Sequence, residues 1–195
     1  MTNVKIERIE TDLYRVPLAT PVEAASHGVM KAFDMVAVRL TDSDGATGCG
    51  YTVLHAGHGD ALVPIINNVY SGILRSEDPR CIERVWARMW REHHYSGRGG
   101  FVSFAIAAVV VALWDLRARS VGEPLWRLLG GHSKSVRAYA GNIDLNFPLD
   151  KLVAGVQRSL DAGFRSVKMR LGKPDLREDV ARVAAVRELI GPDIE

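Results

Sequence analysis

The sequence predicts an α+β unit over about the first 130 residues, a three-stranded antiparallel meander with helices, followed by parallel strand–helix units. Three observations carry this. Met35 to Leu40 reads as a strand and Ala46 to Val53 as its returning partner, joined by Thr41-Asp42-Ser43-Asp44-Gly45, where Asp-Gly supplies the positive φ of a tight hairpin. Three stretches between Asp60 and Arg119 carry apolar residues at helical spacing. After Gly130-Gly131 the pattern changes to strand, helix, strand, helix.

In order, Val4 to Val16 reads as a strand, with Pro17 as its stop. Ala19 to Ala32 is turn-rich and reads as a mobile loop. Met35 to Leu40 and Ala46 to Val53 are the second and third strands. Helices are expected over Asp60 to Leu74, over Pro79 to His94 with Asp78 as N-cap, and over Phe101 to Arg119. The last is apolar almost all round until Asp115 and reads as a central helix, since Phe101 to Trp114 is shorter than the ~20 residues that span a bilayer. Pro124 to Leu129 is a short helix stopped by Gly130-Gly131. Val136 to Asn142 and Ser166 to Leu171 then read as strands. Leu149 to Ala162 and Leu176 to Ile190 read as helices, the last with apolar Val180, Val183, Ala184, Val186 and Leu189. Two such units cannot close a barrel, and a two-stranded parallel sheet leaves edges and apolar faces uncovered.

Composition narrows the function classes. Hydrophobic content is 47%, charged content 25% and formal charge +2, ordinary for a soluble globular protein. Cations are interspersed with anions, so no nucleic-acid footprint is present and no nucleic-acid or membrane partner is expected. Cys49 and Cys81 lie far apart, outside any metal spacing, and read as buried residues of a reducing, cytoplasmic protein. Met1 to Lys5 contains no apolar core of a signal peptide.

The residues that carry chemistry are Lys168 and Arg170. A strand sends alternate side chains to one face, so these two cations share a face and Met169 takes the other. An anion or a developing enolate in front of them is the functional reason for such a pair.

Three stretches together resemble the enolase superfamily, in its mandelate racemase and muconate lactonizing enzyme branch. They are Asp44-Gly45-Ala46-Thr47-Gly48-Cys49-Gly50; Phe104-Ala105-Ile106-Ala107 through Ala112-Leu113-Trp114-Asp115-Leu116 to Gly122-Glu123-Pro124-Leu125-Trp126-Arg127-Leu128-Leu129-Gly130-Gly131; and Lys168-x-Arg170. The resemblance implies a capping domain over residues 1–131 and the first βα units of a TIM-type (β/α) barrel over 132–195. It implies Mg²⁺-dependent removal of the α-proton of a small carboxylate through an enediolate, with dehydration of a sugar acid foremost and racemisation or cycloisomerisation as the alternative. The family's three acidic metal ligands end the third, fourth and fifth barrel strands. None falls within residues 1–195, and Asp193 and Glu195 are not assigned as ligands. Mg²⁺ is therefore expected on the full-length enzyme and no metal on this chain alone, which is expected to be inactive. A homo-oligomer is also expected. The reading from a different class is a non-catalytic fragment that serves as an oligomerising module.

By the same resemblance Lys168 contacts the substrate carboxylate. Arg170 stands where the family often has a lysine base; an arginine stays protonated, so it suits a bidentate carboxylate clamp and the base lies elsewhere. His27 belongs to a loop that closes over substrate, and Tyr51 and His55 to a second such loop, with Tyr51 placed to hydrogen-bond a hydroxylated substrate. Asn142, at the end of the first barrel strand, is a substrate contact or a turn residue. Trp114 and Asp115 read as structural, and adjacent His93 and His94 as a helix end rather than a metal site.

Overall fold

The computed structural model describes residues 4–24, 28–75 and 77–195. The chain forms two units: one of the N-terminal stretch to Pro17 with Ala32–His132, the other of Leu18–Lys31 with Ser133–Glu195.

The sheet runs in the order β1 (Ile6–Ala24), β2 (Gly28–Asp42), β3 (Thr47–His55). β2 and β3 pair antiparallel from Phe33↔His55 to Thr41↔Thr47. The turn between them forms as its chemistry requires: the Asp42 carboxylate accepts the Asp44 and Ala46 amides at 3.0 and 2.9 Å, and Gly45 takes φ +84°. Two expectations change here. Pro17 does not stop β1, because β1 is an edge strand and a missing N–H is tolerated there. The segment read as a mobile loop is instead mostly strand, running to Ala24 and resuming at Gly28.

The segment 59–74 is helical but uneven. A tight turn at Gly59–Ala61 leads into α1 (Leu62–Pro64), a wide π-type stretch at Ile65–Tyr70 and α2 (Ser71–Leu74). Its buried Leu62, Ile66, Tyr70 and Leu74 are spaced by four. On an ideal α-helix that spacing drifts by about 40° per step. The wider π-type turn at Ile65–Tyr70 offsets part of that drift. α3 (Ile82–Glu92) starts three residues later than expected. Asp78 uses its carboxylate on the Arg80 amide and guanidinium, and its carbonyl on the Cys81 amide, making a turn before the helix.

α4 (Phe101–Ser120) is the core helix, with eight buried residues that include Ala105, Ala108, Ala112 and Leu116. Among the described residues it is the one helix long and apolar enough to cross a membrane. It packs directly on β3. A Cβ added at Gly48 would overlap the Ala112 and Leu116 backbone, and one at Gly50 the Ala108 and Ala112 backbone. The Gly-x-Gly of β3 and the alanines of α4 are thus one device that brings helix and strand backbones into contact. Asp115 completes it, accepting the outward Cys49 amide at 2.8 Å and the Arg119 guanidinium at 2.8 Å. α5 (Leu125–Leu128) follows Pro124. Neither cysteine is buried, contrary to expectation: Cys49 alternates with the glycines onto the outer face of β3, and Cys81 caps α3.

In the second unit, β4 (Ala140–Gly141) and β5 (Val167–Lys168) pair parallel, as Ala140↔Val167 and Gly141↔Lys168. α6 (Leu149–Asp161) and α7 (Leu176–Ile190) pack around Leu152, Val156, Val186 and Ile190. Both strands are shorter than expected. Upstream of β4, Val136 is 90% exposed and has no sheet face to bury. Beyond β5, the Arg170 amide turns to the Asp144 carboxylate. The free side of β5 is met by Glu195, whose carbonyl accepts the Val167 amide and whose amide donates to Arg165 O.

The buried face of α7 also differs from its apolar pattern. It comprises Asp179, Arg182, Val186 and Ile190, while Val180 and Val183 are 61% and 44% exposed. The two buried charges find backbone partners: Asp179 accepts the Gly172 and Lys173 amides, and Arg182 donates to Asp144 O and Phe147 O.

Candidate active site

The exit of β5 places the two candidate cations. Val167 and Met169 pack against the α6–α7 core and Lys168 between them is exposed on the other face, while Arg170 stands two residues past the end of β5. Lys168 is exposed, with Nζ 5.8 Å from the centre of the Tyr139 ring. That ring has room because Gly141, opposite Lys168 in register, carries no side chain; a Cβ there would stand 3.2 Å from it. The floor beside them is an ion pair: Arg137 reaches Glu195 at 2.9 Å, and Ser166 Oγ accepts from Arg137 and donates to Glu195. Arg170 is half-buried. Its amide donates to Asp144 Oδ1 at 2.8 Å, and its Nε is buried without a partner among the described residues.

The other sequence candidates are not gathered here. Asn142 ends β4 and donates its amide to Lys168 O, but its register follows Met169, which puts its side chain on the face opposite Lys168. There it lines a cavity with Asp144, Phe147, Lys151 and Arg158. Tyr51 and His55 lie within β3, not in a loop, because the strand alternation of buried Gly48, Gly50, Thr52 and Leu54 continues past Gly50. Tyr51 is 60% exposed on the outer face. His55 and His58 stack at 6.4 Å between Phe33 and Phe101. His27 lies outside the described residues. His93 ends α3 and meets the Tyr70 ring edge-on at 5.6 Å.

Sequence reasoning missed three charged residues that shape these elements. Asp34 is fully buried and accepts from Arg15 at 2.9 Å and from the Gly57 and Gly59 amides at 2.7 and 3.0 Å. The Arg15 hydrogen bonds hold its carboxyl well below the usual carboxylate range, against the opposing effect of burial. Asp144 and Arg182 form a buried pair behind Arg170. The available signal was a charge in the middle of a helix face, at Arg182, and a second polar residue just past a strand end, at Asp144.

Among the described residues no group of three or more His, Cys, Asp or Glu side chains is placed to hold a metal ion. The β5 exit carries one exposed ammonium, Lys168, and, two residues on, the half-buried guanidinium of Arg170, groups whose chemistry suits an anion.

Comparisons with known proteins agree with the architecture. Residues 8–130 match the mandelate racemase / muconate lactonizing enzyme N-terminal domain, and residues 151–195 match the enolase C-terminal domain-like family. A 3,6-anhydro-α-L-galactonate cycloisomerase of Streptomyces coelicolor is 47% identical over 95% of this chain and 52% of its own length. An L-talarate/galactarate dehydratase of Salmonella typhimurium is 32% identical over 98% of this chain and 50% of its own. The crystal structure of a racemase from Streptomyces coelicolor with bound magnesium superposes with a TM-score of 0.94 at 46% identity, over 97% of this chain and 53% of that one. The chain spans about half the length of the curated relatives it matches. With a sheet closed on its helix by Gly48 and Gly50, and parallel βα units following in the chain, the protein belongs to the mandelate racemase / muconate lactonizing enzyme family of the enolase superfamily.

Proposed function

We propose that the protein carrying this chain removes the α-proton of a sugar-acid carboxylate, and that Lys168 and Arg170 hold that carboxylate. The observation that supports the reading is exposed Lys168 at the end of β5, on the face opposite core-packed Val167 and Met169, with Arg170 two residues beyond. Lys168 supplies a mobile ammonium over the Tyr139 ring. Arg170 supplies a guanidinium fork, a donor that stabilises negative charge rather than a base that takes the proton. Charge that builds on the carboxylate during proton removal is met by donors already in place, which is where such groups lower a barrier. Magnesium in this family's reaction would supply further charge stabilisation.

Two outcomes follow from one enediolate: ring opening of an anhydro sugar acid, or loss of water from an open-chain one. The 47% identity to a cycloisomerase, against 32% to a dehydratase, favours the first. The test is turnover, with Mg²⁺, of 3,6-anhydro-L-galactonate and of galactarate by the protein expressed from its complete gene. Turnover of the anhydro acid supports the first outcome, and of galactarate alone the second. No turnover of either, with folded and Mg²⁺-loaded protein, refutes the proposal.

A further inference from the structure

Asp144 and Arg182 are buried charges that no step above uses. Their side chains are 2% and 5% exposed, with Arg182 Nη2 3.5 Å from Asp144 Oδ1. Arg182, on α7, also donates from Nη1 to Phe147 O at 2.8 Å and from Nη2 to Asp144 O at 2.9 Å. It therefore straps residues 144–147, the segment leaving β4, to a helix. Asp144 Oδ1 in turn accepts the Arg170 amide at 2.8 Å.

The position of that last bond is informative. The β4–β5 ladder runs Ala140 amide to Ser166 O, then Asn142 amide to Lys168 O. The next β5 amide in line to face β4 is that of Arg170, and a side-chain carboxylate takes it. Asp144 thus extends the pairing by one residue past the point where the backbones part. A buried ion pair is a poor source of net stability, since apolar residues of similar volume often serve as well or better. This one is also incompletely satisfied: Asp144 Oδ2 and Arg182 Nε have no partner among the described residues. What the pair does supply is direction, a fixed backbone at the residue that aims the guanidinium.

We propose that Asp144, held in place by Arg182, is a positioning residue that fixes the backbone at Arg170 and thereby aims the Lys168 and Arg170 cations at their anion. The proposal rests on the reading of that pair as the carboxylate clamp.

Residue-resolved amide hydrogen exchange on this chain tests the positioning directly. Asp144→Ala accelerates exchange at the Arg170 amide at least tenfold. Asp144→Asn, which keeps an acceptor oxygen, and Arg182→Lys, which keeps the charge but loses the fork, accelerate it less. The Ala140 and Asn142 amides change less than threefold throughout. An unchanged Arg170 amide overturns the proposal. So does equal acceleration across the whole unit, which makes Asp144 a general stability element. If Asp144→Ala fails to fold, Asp144→Asn and Arg182→Lys decide on the same comparison. A second readout uses the complete enzyme: Asp144→Ala raises KM for the acid sugar tenfold or more with a smaller fall in kcat, and Asp144→Asn recovers most of it. A fall in kcat with KM unchanged counts against positioning. A wild-type enzyme with no turnover refutes the clamp instead, and the exchange data still judge the Asp144–Arg170 link.

Discussion

Replacing Asp34 by Asn changes one atom in the most constrained polar cluster of the first unit. The carboxylate is fully buried and accepts four hydrogen bonds, from Arg15 Nε and Nη2 at 2.9 and 3.3 Å and from the Gly57 and Gly59 amides at 2.7 and 3.0 Å. An asparagine oxygen in the Oδ2 place keeps both glycine amides, now as neutral bonds. Its NH₂ then faces the Arg15 guanidinium, donor against donor. Hydrogen bonds to a charged group contribute about 1.5–3 kcal/mol and neutral ones about 1. Losing the Arg15 pair and weakening the other two bonds comes to about 3 kcal/mol. The cost stays below the 3–5 kcal/mol typical of stranding a buried charge, because the Arg15 side chain is 56% exposed and returns to water.

The assay is urea unfolding followed by tryptophan fluorescence, which reports the first unit alone because Trp86, Trp90, Trp114 and Trp126 all lie in it. At pH 7 the midpoint of Asp34→Asn falls by about 1.5 M for a slope near 2 kcal/mol/M. The pH dependence has a fixed sign. The Asp34 carboxyl titrates lower in the folded chain than in the unfolded one, mainly through the Arg15 hydrogen bonds. Its contribution is complete above an unfolded value of about 3.9 and is lost as pH falls toward the folded value. The gap between wild type and variant therefore narrows from pH 5 downward. Burial pushes the Glu77 carboxyl up, but the Arg88 and Arg84 hydrogen bonds and charges together pull it below its ordinary value; it is the same in both proteins and cancels. A variant within about 0.5 kcal/mol of wild type at pH 7 would refute the accounting. A gap equally wide at pH 2.5 and pH 7 would refute the electrostatic part.

Gly50→Ala drives a methyl into the α4 backbone at Ala108 and Ala112 and lowers stability by about 3 kcal/mol, the upper range for overpacking. Gly72→Ala, in α2 with open space around it, is neutral or stabilising by up to about 1 kcal/mol; equal effects from the two, read by urea unfolding, would contradict the close-packing argument. Glu77→Gln loosens the Arg84 and Arg88 clamp on the segment before α3 and costs about 2 kcal/mol by the same assay. Lys168→Met leaves the thermal midpoint within about 2 °C, because Lys168 is exposed, yet lowers acid-sugar turnover in the complete enzyme by about 100-fold, the scale for one electrostatic donor. Arg170→Lys, which keeps charge but loses the fork, falls between the two, and a variant as active as wild type would remove Arg170 from the clamp.

What could be read in advance follows the range of the interactions. The β2–β3 turn is written within five residues, and α4 within its own apolar run, so both stand as expected. The outward turn of Lys168 follows from local strand alternation, since Val167 and Met169 on either side go inward, whereas Arg170 lies past β5, where the Asp144 carboxylate takes its amide. The departures arise where a partner lies far along the chain. Pro17 reads as a stop until the sheet order makes β1 an edge. Arg182 reads as a solvent charge beside Val180 and Val183, yet it is the buried residue of the three, because carbonyls 35 and 38 positions earlier accept its guanidinium. Asp34 is hidden in the same way, sitting in an apolar strand with donors 19 to 25 residues away. Each concealed charge holds a backbone segment: Asp34 the turn after β3, Asp179 the loop after β5, and Arg182 with Asp144 the end of β4. The helices and strands are thus set by local pattern and the segments that leave them by distant charges. A site built where strands end takes its residue types from the first and its geometry from the second.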